Sequence, residues 1–197
     1  MRFQTNLPTA PFAREKLFFS DASCNKNTLT IMDKIVIEPA TLEDLPRLTD
    51  LLVDLFAQEA DFKPDRAKQM RGLRLILEEP SRGRIFVLRQ NGEILGMINL
   101  LFTVSTAEGG FVILLEDLVI HRDHRHHGYG DQLLQHAIQF AREKGFVRIT
   151  LLADRDHDES LRFFKNHGFV ESTMIPMRLL LSTQNTPPEQ QPPSSQP

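Results

Sequence analysis

Ten residues, His121-Arg-Asp-His-Arg-His-His-Gly-Tyr-Gly130, separate an apolar run from an amphipathic one, and this junction constrains the fold more than any other stretch. Upstream, Phe111 to Ile120 is rich in β-branched and aromatic residues, too short for a typical helix, and bounded by Gly109-Gly110. It reads as a buried strand. Downstream, Leu133, Leu134, Ala137, Ile138 and Ala141 recur on one face of a helix, with Gln132, Gln135, His136 and Gln139 opposite. The polar loop therefore joins a strand to a helix N-terminus, where unpaired backbone N–H groups and the positive end of the helix dipole attract anions. Gly128 and Gly130 leave room for close approach to the backbone, and Arg122, Arg125, His126 and His127 add basic groups. Two readings fit these residues, a flexible connector and a phosphate cradle. A Gly-x-x-x-x-Gly-Lys-Ser/Thr loop is absent, as are the third glycine and the acid of a dinucleotide fold.

The remainder of the chain limits its partners. A formal charge of −3 and a pI near 6.2, without a basic tract, give no support for a nucleic-acid or anionic-membrane partner. No apolar run reaches the ~18 residues that span a bilayer. A single cysteine, Cys24, excludes an intramolecular disulfide and a cysteine-based metal cluster, so a cytoplasmic setting is expected. Residues 1–33 are broken by Pro8 and Pro11 and carry Arg14, Glu15 and Lys16, so they read as a poorly ordered extension, not a signal peptide. Residues 182–197, almost wholly Ser, Thr, Gln, Asn, Pro and Glu, are expected to form a disordered tail.

Between these ends the pattern predicts one α/β (α+β) domain over residues 34–181 in the order β-α-α-β-β-β-α-β-α-β-β. Lys34 to Glu38 is the opening strand, and Thr41 with Asp44 forms a capping box before a helix marked by Leu45, Leu48, Leu51, Leu52 and Leu55. Pro64 is placed at the first position of a second helix reaching about Glu79. Asn91-Gly92 predicts a tight type I′ hairpin between strands 84–90 and 93–106. Lys144-Gly145 ends the helix that follows the polar loop, Val147 to Ala153 is a fifth strand, and Gly168 stops a last short helix. Phe169 to Ser172 and Ile175 to Leu181 are expected to close the chain as two further strands.

The spacing Ile120, Arg125, Gly128, Gly130 resembles the acyl-CoA pyrophosphate motif of the GNAT N-acetyltransferase superfamily, and the element order resembles its fold, a mixed central sheet with helices on both faces. A second stretch, with His157, Ser160, Phe163, Phe164, Gly168 and Phe169, is similar to the end of the family's last helix. The resemblance implies acetyl-CoA as co-substrate, with no metal. The pyrophosphate would sit on Arg125, His126, His127, Gly128, Tyr129 and Gly130. The pantetheine would pair with the backbone from Val119 to His121, beside Leu118 and Ile120, in a sheet splayed between its fourth and fifth strands. His157, Ser160 and Phe164 would flank the thioester. In the family the second aromatic is frequently a Tyr that protonates the leaving thiolate, whereas Phe164 has no exchangeable proton. The departure is tolerable, since a thiol of pKa ~8.5 leaves readily and general acid help is worth ~10²–10⁴-fold. Water, Ser160 or His157 are the alternative donors. Glu116 matches a position where family members place a carboxylate facing the acceptor; the competing reading is a salt-bridged strand residue. Strand alternation sends its neighbour Asp117 to the opposite face.

The function so implied is transfer of an acetyl group from acetyl-CoA to a primary amine, small molecule or peptide, by direct attack in a ternary complex. With Cys24 outside the expected domain, a covalent acyl-enzyme has no nucleophile in place. A non-catalytic acyl-CoA-binding sensor is the alternative, supported by Phe164, and a nucleotide-binding regulator is a third; a homodimer is compatible with all three. The loop histidines, His121, His124, His126 and His127, invite a metal reading, but the interleaved arginines favour a cationic loop. The acidic loop Asp154 to Glu159 lacks the spacing and glycine of a calcium loop. Glu59, Asp61 and Asp65 form an acidic stretch where the family often meets its acceptor.

Overall fold

A computed structural model describes residues 34–58 and 63–181. The expected terminal extension and tail, Cys24, Glu59 and Asp61 lie outside these residues. Five strands form one sheet in the order β1-β2-β3-β4-β5: β1 (Ile35–Pro39), β2 (Gly83–Gln90), β3 (Glu93–Ser105), β4 (Gly110–Ile120) and β5 (Ile149–Leu151). The first four make an antiparallel meander, and β5 joins β4 in parallel. Asn91 and Gly92 both have positive φ, 52° and 88°, as the I′ hairpin between β2 and β3 requires.

Helices α1 (Leu45–Phe56) and α2 (Arg66–Leu77) cover one face, and α3 (Tyr129–Glu143) the other, followed by α4 (Asp158–Asn166). The sheet is thus sandwiched between two apolar layers. On the first side Leu48, Leu51 and Leu73 pack on Ile85, Val87 and Met97. On the second Leu133, Leu134 and Ala137 pack on Leu88, Ile98, Leu100 and Ile113. This two-sided burial explains why β3 is apolar on both faces.

Local chemistry sets the ends of the elements. The Thr41 N–H donates to Asp44 Oδ2 at 2.9 Å, ahead of a 3-10 turn over Leu42–Asp44 that leads into α1. Burial alone would raise the pKa of Asp44, but its bonds to Arg89 and Thr41 outweigh it and hold the carboxyl below its ordinary value. Pro64 does not open α2 as expected. Asp65 is the N-cap, its Oδ1 accepting from the Lys68 N–H at 3.0 Å, so the proline lies one residue before the cap. Gly145 and Gly168, with φ of 73° and 87°, end α3 and α4 in the left-handed conformation.

The fifth strand is shorter than the apolar run suggested, three residues instead of seven. The two closing strands are absent among the described residues: Val170 to Leu181 pairs with no strand and is exposed throughout. Periodicity identifies a segment fit for a strand, but a strand forms only where an edge receives it.

Candidate active site

The site begins where β4 loses a neighbour. Ile113, Leu114 and Leu115 pair with Ile149, Thr150 and Leu151 of β5, and the parallel ladder ends there. The remaining five residues of β4, Glu116 to Ile120, pair with β3 and with no other strand among the described residues. Their other edge carries backbone N–H and C=O groups with no strand beside them, which an extended ligand can meet as a strand would. Gly96 holds this half of β4 close on the β3 side. A Cβ there would collide with the Ile120 side chain and lie 2.8 Å from the Val119 carbonyl oxygen. After Ile120 the His121 N–H still donates to the Leu95 carbonyl, at 2.7 Å, before the chain turns away.

At the point of divergence β4 carries a bulge. Asn99 of β3 faces Asp117, but the next residue, Leu100, faces Leu115, so Glu116 is an extra residue. Leu115 and Leu118 accordingly both pack on the α3 side although they are three apart, and Val119 packs on the α1–α2 side. The alternation that would send Glu116 and Asp117 to opposite faces is broken at this point. Glu116 is exposed, whereas Asp117 is 6% exposed and accepts from Asn99 Nδ2 at 2.9 Å. Asn99, at 3%, has its Oδ1 enclosed without a hydrogen-bond partner among the described residues. Sequence reading overlooked Asn99; its signal was a lone amide inside an otherwise apolar strand.

The polar loop forms one rim of the opening. A 3-10 turn over Arg122–His124 leaves β4, and Arg125 then folds back to fix the loop. Its Nε donates to the Ile120 carbonyl at 3.2 Å and its Nη1 to Gln58 Oε1, at the end of α1, at 3.0 Å. His126 and Gly128 both take left-handed backbone, φ 63° and 75°, and His127 Nδ1 lies 2.7 Å from the Arg125 carbonyl oxygen. The first α3 turn is closed by the Gln132 N–H on the Gly128 carbonyl at 3.2 Å, so the amides of Tyr129, Gly130 and Asp131 have no intrahelical acceptor. Alternating left-handed residues beside a helix N-terminus turn successive N–H groups toward one point, an arrangement that suits phosphate oxygens. Tyr129 contributes only backbone, since its ring is buried in the α3-side core and stacks on His127, centroids 5.7 Å apart.

Helix α4 forms the opposite rim. His157 caps it, Nδ1 accepting from the Ser160 N–H at 3.3 Å, which leaves the ring N–H on Nε2. Phe164 packs on Phe163 and Phe169, centroids 5.2 and 5.6 Å away, and is an apolar wall. Phe163 lies over Gly130, and His167 ties the two helices together, its Nδ1 2.9 Å from the Phe163 carbonyl oxygen and its Nε2 3.3 Å from Asp131 Oδ1. These contacts, which no sequence spacing pointed to, set the distance between the loop and α4. The four loop histidines do not converge, and among the described residues no group of three or more His, Cys, Asp or Glu is placed to hold a metal ion. Two surface clefts of about 400 and 440 Å³ lie away from this opening, one beside Asp44, Arg47 and Arg89, the other beside Phe86, His136 and Phe140.

Residues 45–169 match the family model described as the acetyltransferase (GNAT) family. The aminoalkylphosphonate N-acetyltransferase of Salmonella typhimurium is 27% identical over 142 residues, covering 72% of this chain and 89% of that protein. Among solved structures, a possible acetyltransferase from Clostridium difficile superposes with a TM-score of 0.69 at 13% identity, covering 75% of this chain and 98% of that one. An aminoglycoside N-acetyltransferase in complex with CoA gives 0.65 at 15% identity, covering 77% and 98%. Its sheet, its split beside β4 and a family match over more than half of its length agree: this chain belongs to the GNAT acetyltransferase family, whose members are enzymes of acyl transfer.

Proposed function

We propose that the protein is an acetyl-CoA-dependent N-acetyltransferase that acts on a primary amine by direct attack in a ternary complex. The observation that carries this reading is the free edge of Glu116 to Ile120 leading straight into the loop of Arg125 to Gly130. An extended pantetheine fits the first and a pyrophosphate the second. In this arrangement the backbone from Val119 to His121 pairs with the pantetheine, flanked by Leu118 and Ile120. The amides near Gly128, Tyr129 and Gly130 hold the pyrophosphate, with Arg125, His126 and His127 around it. Acetyl-CoA, when bound, supplies the acetyl group as a reactive thioester.

The chain's own residues do the rest. Glu116, exposed at the bulge, takes a proton from the ammonium form of the acceptor so that the amine becomes nucleophilic. With Phe164 apolar, the proton for the leaving thiolate comes from water, Ser160 or the Nε2–H of His157, whose Nδ1 accepts the capping bond. Positioning two substrates in one cleft supplies much of the rate. The acceptor is a small molecule or peptide carrying a primary amine. The names of similar proteins, an aminoalkylphosphonate and an aminoglycoside N-acetyltransferase, favour a small-molecule amine.

A thiol-release assay with acetyl-CoA and a panel of aminoalkyl compounds, amino acids, aminoglycosides and peptides tests the reaction. Tight acetyl-CoA binding with no release across the panel would replace it by the sensor reading. The cradle is tested separately with Gly128→Val. A β-branched residue at φ 75° is strained by more than the ~1–2 kcal/mol of an ordinary L-residue, so the amides turn away and acetyl-CoA affinity falls by at least ~10-fold. Gly130→Ala is the control, since a Cβ there meets only Phe163, at 3.7 Å, and binding is retained. Calorimetry showing unchanged affinity in folded Gly128→Val would remove the loop from the site.

A further inference from the structure

The ring of His167, at the end of α4, stands between two acceptors. Nδ1 lies 2.9 Å from the Phe163 carbonyl oxygen, and Nε2 lies 3.3 Å from Oδ1 of Asp131 in the first turn of α3. A backbone carbonyl only accepts, and so does an ionised carboxylate. Neutral imidazole carries one N–H and satisfies one of the two, whereas the imidazolium carries both and satisfies both. The side chain is 11% exposed and the Phe163 ring packs on it, centroids 4.8 Å apart, so it has little freedom to turn away. Asp131 is half exposed and, among the described residues, is the one carboxylate in ion-pair range of the ring. On α4 itself Lys165 is held by Glu171 at 2.6 Å.

The place of this pair gives it a task. Asp131 supplies one of the three amides without an intrahelical acceptor at the start of α3, where the pyrophosphate is proposed to rest, and it is the acidic residue of that first turn. A bare carboxylate there opposes the anion that the same amides attract. Phe163, whose carbonyl holds the ring, also lies over Gly130, 3.7 Å from where a Cβ would stand. One side chain thus joins the two rims of the opening and answers the negative charge beside the cradle.

We infer that His167 is a positioning residue for acetyl-CoA: as the imidazolium it draws α4 onto the start of α3 and neutralises Asp131 beside the pyrophosphate. When the proton leaves, the remaining N–H stays on the shorter bond to the Phe163 carbonyl, and the Asp131 carboxylate faces the phosphates unanswered. Part of the affinity for acetyl-CoA therefore falls as pH rises through the imidazole range. The inference rests on the acetyl-CoA reading but not on the identity of the acceptor or of the base.

Calorimetry with acetyl-CoA at about pH 5.5 and about pH 8.5, on the wild type and two variants, tests the pair. Asp131→Asn keeps the shape, removes the charge and offers an amide donor to the neutral ring. It should bind as the wild type does at the lower pH and ~3-fold tighter at the higher one. His167→Gln keeps a donor for the Phe163 carbonyl without the charge. Its affinity should be ~3–5-fold below that of the wild type at the lower pH and equal to it at the higher. Titration of the ligand phosphates and of His126 and His127 is common to all three proteins and cancels in these ratios. Should His167→Gln fail to fold, Asp131→Asn, changed at a half-exposed side chain, decides alone. Ratios that stay constant with pH overturn the charged role, reduce His167 to packing between two helices and leave the acetyl-CoA reading standing. A wild type that binds acetyl-CoA at neither pH overturns that reading and this inference with it.

Discussion

Strand β4 is two structures in one chain. Ile113 to Leu115 has a strand on each side, and Ile113 and Leu115 are buried beneath α3. Glu116 to Ile120 has β3 on one side and an open gap on the other. The first half is a core element whose backbone bonds are satisfied by the protein. The second half is equally strand-like but presents an edge, and an edge inside a domain is tolerated only where something is meant to occupy it. The bulge at Glu116 marks the boundary. A core element and the proposed binding edge thus share one strand, separated by one extra residue.

If the division holds, substitutions on either side of Glu116 fail in different ways. The largest effect is expected in the closed half. Leu115→Ala removes a buried side chain from the α3-side core and costs about 3 kcal/mol of unfolding free energy in a denaturant titration. The protein that stays folded binds acetyl-CoA with its affinity unchanged; a parallel loss of affinity would erase the distinction between the halves. Next, Glu116→Gln leaves stability within ~0.5 kcal/mol, since the side chain is exposed, but lowers turnover by ~10²-fold, or ~2.7 kcal/mol of barrier. The deficit is greatest at low pH, where the acceptor arrives protonated. A pH–rate profile identical to that of the wild type would remove Glu116 as the base.

Much of this division was legible in the sequence, and the illegible part has physical causes. The strand, polar loop and helix around Gly128 follow from a change of hydrophobic period, and the Asn91-Gly92 hairpin from local backbone preference. Both are local signals. The bulge at Glu116 has none, since Leu115-Glu-Asp-Leu118 reads as ordinary alternation and only the register against β3 exposes the extra residue. The short β5 and the unpaired arm were mistaken for full strands because pairing depends on an available edge, which is a tertiary fact. Arg125 reads as a residue that holds the pyrophosphate; its bonds to Ile120 and to Gln58, 67 positions away, also make it a brace for the loop. His157 was matched to a residue beside the thioester, yet its ring nitrogen caps α4. In each case the chemistry was recognisable and the partner was not.

Asn99 tests the boundary itself. Asn99→Ala removes the amide that donates to the buried Asp117 carboxylate, and the loss of a buried hydrogen bond to a charged group costs ~1.5–3 kcal/mol. Because the bond spans β3 and β4 beside the bulge, a stability loss of ~1.5 kcal/mol is expected together with a fall in kcat and little change in acetyl-CoA affinity. A loss of stability with kcat intact would make the pair a fastener of the closed half only.

The smallest expected effect lies wholly in the closed region. His136 of α3 was expected on the solvent side of its helix, but it packs edge-on against Phe86, centroids 4.6 Å apart. Burial lowers its pKa below the ordinary value, with Glu143 opposing the shift. The sign follows from proton binding. Below the ordinary imidazole pKa the unfolded chain takes up a proton that the folded chain resists, so the contribution of His136 to stability falls as pH drops from the unfolded-state value toward the folded one. His136→Phe removes this titration and keeps the aromatic contact. Its stability curve should be flatter than that of the wild type through that acidic window, with acetyl-CoA affinity the same in both proteins. A difference in affinity that follows the stability change would show that the packing under β2 reaches the open half of β4.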